Sequence, residues 1–177
     1  MSKKVLVILA HDDMKISRVN KRFALELEDC DNVEIRDIKN LYPDYKINVE
    51  AEQEAIRKAD KIVFQFPMFW FNAPSILKEW MDKVYSLGFA FDVTKDGYER
   101  RELNGKEFML AVSMGGHEAA YAGEYKSVDE CLTPYIYTSK FCGMKVVESF
   151  YTYRAMQNLS DEKLEELAPQ FKDAVLK

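Results

Sequence analysis

The sequence predicts an α/β fold of three layers: a five-stranded parallel sheet, strand order 2-1-3-4-5, with helices on both faces. Three observations carry that prediction. Runs of β-branched and aliphatic residues alternate five times with segments of helical periodicity, a rhythm that calls for crossover connections and hence parallel strands. The runs at 5–10 and 61–66 contain little polar alternation, as expected of strands covered on both sides. Five strands within about 150 residues favour the smaller of the two common doubly wound orders.

The first strand is the run 5–10. Ser17 then precedes a helical pattern with Val19, Phe23, Ala24 and Leu27 on one face, and its hydroxyl is suited to cap that helix. Residues 33–38 alternate with period two and read as a second strand, nearer an edge. A short polar helix is expected over 49–59, and the third strand, 61–66, ends at Pro67. Pro74 suits the first position of the next helix, whose apolar face is Leu77, Trp80, Met81 and Val84. The polar segment 88–105 reads as a mobile flap. Strands follow at 108–112 and 144–148, with a helix between them within 127–139. Ser160 caps a last helix whose stripe is Leu164, Leu167, Phe171 and Val175. Pro169 lies inside that stripe and predicts a kink or break.

The 177 residues suit one domain, 1–177. With 47% hydrophobic and 31% charged residues, the chain has the means to bury a core, which excludes a disordered or collagen-like class. The net charge of -5 argues against nucleic acid as a partner. Cys30, Cys131 and Cys142 form no CxxC pair and point to a reducing, cytoplasmic setting. With His11 and His117 the only histidines, no metal site is expected. The N-terminal apolar run is too short for a signal peptide and runs into His11-Asp12-Asp13. No stretch reaches the roughly 18 apolar residues of a membrane span.

In a doubly wound sheet, ligands sit beyond the carboxyl ends of the strands. Three loops meet there: 11–20, 67–72 and 113–121. The first leads into a helix N-terminus, which favours an anion such as phosphate. His11, Ser17, Arg18 and Asn20 offer donors, although Ser17 has the alternative of simply capping, and Asp12 and Asp13 repel an anion. In the second, Phe69, Trp70 and Phe71 cannot all face one core. They offer walls for a planar ring, or else an interface or extra core packing. In the third, Gly115 and Gly116 let backbone amides approach a ligand closely, the alternative being a plain turn; Tyr121 follows with a phenol able to donate. GxGxxG, P-loop and GxSxG motifs are absent.

Taken together, Ala10-His11 with Ser17-Arg18-Val19-Asn20, Leu41-Tyr42-Pro43-Asp44, Ala51 to Ala55, Pro67 to Trp70 through Pro74, Leu77 to Val84 and Gly115-Gly116 resemble the flavodoxin-like NAD(P)H:quinone oxidoreductase family. The likeness is greatest to its short bacterial members, including ancillary flavoprotein subunits of glutathione-gated potassium efflux systems, and it spans essentially the whole chain. The resemblance implies a flavodoxin-like, flavin-binding domain holding FMN, or FAD, with NAD(P)H as co-substrate. It implies that His11, Ser17, Arg18, Val19 and Asn20 hold the flavin phosphate. Pro67, Met68, Phe69, Trp70 and Phe71 would flank the ring, and Ser113, Met114, Gly115 and Gly116 would face its N1/O2 edge. Tyr121 resembles the family's catalytic tyrosine. The implied activity is two-electron reduction of quinone-like acceptors by a homodimer. A regulatory subunit of a membrane transporter and a flavodoxin-type electron carrier are the alternatives. The chain departs from the family at His11-Asp12, where His-Pro is usual. It also departs at Glu124 to Ser127, where longer members carry a histidine partner for the tyrosine. The longer members' extended C-terminal region is missing too, which favours FMN.

Overall fold

The computed structural model describes residues 2–156 and 159–177. Its strands are β1 (Val5–Leu9), β2 (Val33–Asp37), β3 (Lys61–Pro67), β4 (Phe91–Thr94), β5 (Gly97–Arg100), β6 (Glu107–Ser113), β7 (Lys145–Val146) and β8 (Phe150–Thr152). The helices are α1 (Val19–Leu27), α2 (Ile38–Leu41), α3 (Val49–Lys58), α4 (Ser75–Val84), α5 (Val128–Cys131), α6 (Thr133–Phe141) and α7 (Asp161–Leu176). The main sheet is parallel, with the order β2-β1-β3-β6-β7 and β8 also paired to β6.

The sheet therefore has six strands, with β8 added beside β6, where five in the order 2-1-3-4-5 were expected, and the hairpin β4–β5 forms a separate small sheet. The expected strand 144–148 is shortened to β7, and pairing with β6 resumes beyond it at β8. Val146 pairs with Phe108 and Phe150 with Ala111, so the edge chain carries one residue more than β6 between these points. That surplus bulges out of the ladder. The expected flap 88–105 contains the antiparallel hairpin β4–β5, in which Thr94 pairs with Gly97. Its two-residue connection ends at Asp96-Gly97, where φ of Gly97 is 135°, a conformation open to a residue without Cβ.

Other expectations shift for local reasons. Arg18, not Ser17, is the N-cap of α1 and no side chain caps it; the turn in which Ile16 N–H donates to Asp13 O delivers Ser17 inward before the helix starts. Pro74 is the N-cap of α4 at ψ 145°, one place ahead of the first helical position. The helix expected within 127–139 is two, because Pro134 has no N–H for Glu130 O; Thr133 Oγ1 donates to that carbonyl at 2.9 Å instead. Conversely, α7 runs unbroken through Pro169. Pro169 is on the exposed face, where the freed carbonyl meets water, while Leu164, Ala168, Phe171 and Val175 anchor the helix in the core.

The two faces of the sheet bury separate clusters. On one, Phe64 and Phe66 of β3 meet Trp80, Val84 and Tyr135. On the other, Phe23 of α1 stacks on Phe171 of α7 at 4.6 Å between centroids; each such ring contributes about 2–3 kcal/mol by burial. Buried polar groups fix the helices. Glu52 is fully buried and accepts from Arg36, from Tyr42 Oη at 2.6 Å and from Trp80 Nε1 at 2.9 Å. Lys61, 2% exposed, donates to Ala174 O and Val175 O at 2.8 and 2.9 Å, satisfying carbonyls that the last turn of α7 leaves unpaired. Among the described residues, no helix is long and apolar enough to cross a membrane.

Candidate functional site

Parallel register brings the carboxyl ends of β1, β3 and β6 to one edge. Leu9 lies beside Gln65, and Pro67 beside Ser113. Backbone bonds continue past the strands, from Ala10 N to Gln65 O at 2.9 Å and from Met68 N to Ser113 O at 2.8 Å. The three loops singled out from sequence are thus neighbours.

In the first loop, His11 is half-buried and its Nδ1 accepts from Asp13 N at 3.1 Å. Burial lowers its pKa, against the opposing pull of Asp12, Asp13 and Asp37. A cavity of about 310 Å³ opens beside it, lined by Asp13, Lys15, Asp37 and Asn40 among others. The expected phosphate donors separate here. Ser17 is buried, Val19 is in the core, and the Arg18 guanidinium pairs with Asp161 at 2.6 Å. Asn20 is 3% exposed and turns inward, its Nδ2 donating to Ser113 Oγ at 2.9 Å. What remains for an anion is the N-terminus of α1 with no side-chain cap.

The second loop is a tight reversal. Phe69 and Asn72 exchange backbone hydrogen bonds of 2.8 and 3.0 Å. Between them Trp70 and Phe71 have φ of 51° and 62°, positions where such turns favour Asn and Gly. Trp70 is 95% exposed. Pro67 is buried within β3, and Met68 is half-buried against the core.

In the third loop, Ser113 and Met114 are buried, with Met114 held through both backbone groups, its N–H to Thr152 O and its carbonyl from Ala155 N. Gly115 and Gly116 are half-exposed, and their amides have no acceptor among the described residues. A Cβ on Gly116 would stand 3.3 Å from Tyr121 Cε2, so the ring lies against the turn. Burial raises the Tyr121 pKa, with Cys131 and Tyr125 adding to it, and the phenol is a protonated donor at neutral pH. His117 accepts from Ala120 N through Nδ1 at 3.2 Å and caps the short turn that carries Tyr121. Tyr125 bridges Tyr121 and Phe71, with centroids 5.8 and 5.1 Å away.

A fourth loop, after β8, escaped the sequence reading. Arg154, at φ 60°, donates its N–H to Gly116 O at 2.8 Å, and Tyr153 packs 5.9 Å from Tyr121. The only signal was the strand-forming triplet Phe150-Tyr151-Thr152. A cavity of about 720 Å³ lies at the other end of the sheet, near Lys4, Asn32, Val33 and Ala59. We place the site at the carboxyl ends, where helix N-termini and strand-end loops converge.

The fold and the convergence of these loops define a flavodoxin-type α/β protein. The flavodoxin-like fold family matches residues 3–175, and the chain belongs to it. General stress protein 14 of Bacillus subtilis is 41% identical over 153 residues, covering 85% of each chain. The B. subtilis uncharacterized NAD(P)H oxidoreductase YrkL is 35% identical, covering 96% of each. The glutathione-regulated potassium-efflux system ancillary protein KefF of Enterobacter sp. is 37% identical, covering 97% of this chain and 95% of its own. Among solved structures, general stress protein 14 of Treponema denticola in complex with FMN has a TM-score of 0.87 at 32% identity, covering 97% of each chain. An NADPH-quinone reductase from P. pentosaceus has 0.84 at 26%, also covering 97% of each. A chain described as a thermophilic tryptophan halogenase from Streptomycin violaceusniger has 0.89 at 38%, covering 97% of this chain and 98% of its own.

Proposed function

We propose that this protein is an NAD(P)H-dependent flavin oxidoreductase, binding FMN and reducing quinones or related electrophiles by two-electron, ping-pong transfer. The observation that carries the reading is the Gly115-Gly116 turn. Its amides have no acceptor among the described residues, it lies between Tyr121 and the strand ends, and it adjoins the aromatic reversal at Phe69 to Phe71. These features fit a flavin: an uncapped helix N-terminus for the phosphate, amides for the pyrimidine edge and aromatic surface for the ring. The FMN complex of a relative 32% identical supports the cofactor. The oxidoreductase and quinone reductase names of others support the reaction. The halogenase description of one neighbour has no counterpart in those names.

Bound FMN supplies the hydride chemistry, while the protein supplies position and charge. In this reading the N-terminal turn of α1, entered through Arg18 and Val19, holds the phosphate, with His11 and Ser17 shaping the loop. Gly115 and Gly116 stabilise negative charge at the ring edge. Tyr121 donates a hydrogen bond, and Trp70 and Phe71 cover the acceptor. The three cysteines are unpaired, in keeping with a cytoplasmic location. The exposed aromatics of the second loop also suit a homodimer contact.

Titration of the purified protein with FMN and FAD, followed in the visible spectrum, tests the cofactor. Steady-state oxidation of NADH and NADPH with a simple quinone then tests the reaction. Failure to bind either flavin sinks the proposal. A second reading, an ancillary subunit of a potassium efflux system, rests on the full-length similarity to KefF. Co-purification with such a transporter from membranes supports it, and turnover by free protein that never associates with one removes it.

A further inference from the structure

Beneath the candidate site, on the face covered by α1, is a knot of buried polar side chains that the proposed function does not use. Asn20, Gln65, Ser113 and Thr152 are 3%, 1%, 4% and 2% exposed. They come from α1, β3, β6 and β8. Asn20 Nδ2 donates to Ser113 Oγ at 2.9 Å, and Gln65 Nε2 donates to Asn20 O at 2.9 Å. Thr152 lies directly beside Ser113 in the sheet. Gln65 Oε1 and Thr152 Oγ1 have no partner among the described residues. An incompletely satisfied polar group in a core costs stability, so an apolar set here would hold the fold better.

Ser113 is where the site's segments meet. Its hydroxyl takes the bond from α1, its carbonyl takes Met68 N–H from the aromatic loop, and its chain continues directly into Gly115 and Gly116. We propose that Asn20 and Ser113 are positioning residues that couple the N-terminal turn of α1 to the Ser113–Gly116 turn. An anion seated at the helix thereby orders the amides that face the ring. The side chain of Asn20, offered by sequence as an anion donor, acts through Ser113. The inference rests on the flavin reading and adds to it a coupling between two parts of one ligand site.

Riboflavin, which lacks the phosphate, and inorganic phosphate test it as separate ligands. Coupling makes each raise affinity for the other by the same factor. In the unmodified protein, saturating phosphate should tighten riboflavin binding about 5-fold or more, read by fluorescence quenching. In Ser113→Ala and in Asn20→Ala the ratio of riboflavin affinities with and without phosphate should fall to about one. Ser113→Thr, which keeps the hydroxyl, should restore it, an outcome that general loosening of the fold does not produce. Thermal melting shows which variants are folded, and Ser113→Ala, the smaller change, carries the test where Asn20→Ala fails to fold. Riboflavin and FMN binding with a phosphate effect undiminished in Ser113→Ala overturns the coupling and leaves the flavin reading standing. Absence of a phosphate effect in the unmodified protein overturns it equally. Absence of all flavin binding overturns both.

Discussion

Gly116 and Tyr121 are packed so closely that a Cβ on the glycine would stand 3.3 Å from Tyr121 Cε2 and 3.6 Å from its hydroxyl. The glycine is therefore favoured by an approach between backbone and ring rather than by its own conformation, since its φ is not in the left-handed region. Tyr121 is half-exposed on a short turn and has room to shift by the few tenths of an ångström an added methyl demands. Gly116→Ala should accordingly cost less than about 1.5 kcal/mol of stability yet lower quinone turnover about tenfold by displacing the phenol. Tyr121→Phe should lower turnover as well without moving the ring. Steady-state kinetics of both variants check this, and full activity in both would remove Tyr121 from the reaction.

Trp70 and Phe71 occupy left-handed backbone positions in succession, each at a cost of roughly 1–2 kcal/mol for a side chain with Cβ. Trp70 recovers none of that by packing, being 95% exposed. Strain kept at an exposed aromatic fits a residue retained for contact with something outside the fold. Trp70→Asn, which places a residue tolerant of this conformation there, should raise stability by about 0.5–1 kcal/mol while lowering acceptor turnover. A urea titration beside kinetics decides it; a variant both less stable and fully active contradicts the argument.

The parts visible in the sequence were those specified by local pattern. The uninterrupted apolar residues of β1 and β3 announced central strands, and Leu77, Trp80, Met81 and Val84 announced α4, because each reports its own burial. The edge beside β6 was legible only in part: β7 falls within the strand expected over 144–148, whereas β8, three residues long, exists through pairing with a distant strand. For the same reason the loop carrying Tyr153 and Arg154 was missed. At the candidate site, the three strand-end loops were legible from connectivity. The inward turn of Asn20 and the Arg18–Asp161 pair were not, because Ser113 and Asp161 lie 93 and 143 residues further along the chain. The buried Glu52 was invisible too: its neighbours read as an ordinary polar helix, and Arg36, Tyr42 and Trp80 assemble around it only in three dimensions.

That carboxylate yields a stability prediction. Glu52→Ala would leave the Arg36, Tyr42 and Trp80 donors without their common acceptor, and removing one partner of a buried pair costs about 3–5 kcal/mol. Glu52→Gln keeps the shape and one acceptor oxygen, and Arg36 retains partial access to solvent, so the loss should be about half as large. Urea midpoints of the two variants measure the difference. Equal, small effects in both would show that packing of α3 and α4, rather than this network, fastens that side of the sheet.

His11 gives a pH prediction with a defined sign. Burial lowers its pKa below the ordinary 6.5, and Asp12, Asp13 and Asp37 only partly oppose this. The unfolded chain therefore takes up the proton first, and stability contributed by the neutral imidazole is present above about pH 6.5 and is lost as pH falls below it. His11 is partly solvated, so the loss between about pH 7 and pH 5 should be small, and it should be absent in His11→Gln. A phosphate seated in this loop reverses the preference, because a neighbouring anion favours imidazolium. FMN binding by the unmodified protein should then take up more protons than binding by His11→Gln. The ionisation of FMN itself is common to both and cancels in the difference. Calorimetric titration in two buffers of unlike ionisation enthalpy reads this directly, and identical proton uptake in the two proteins would place the phosphate away from His11.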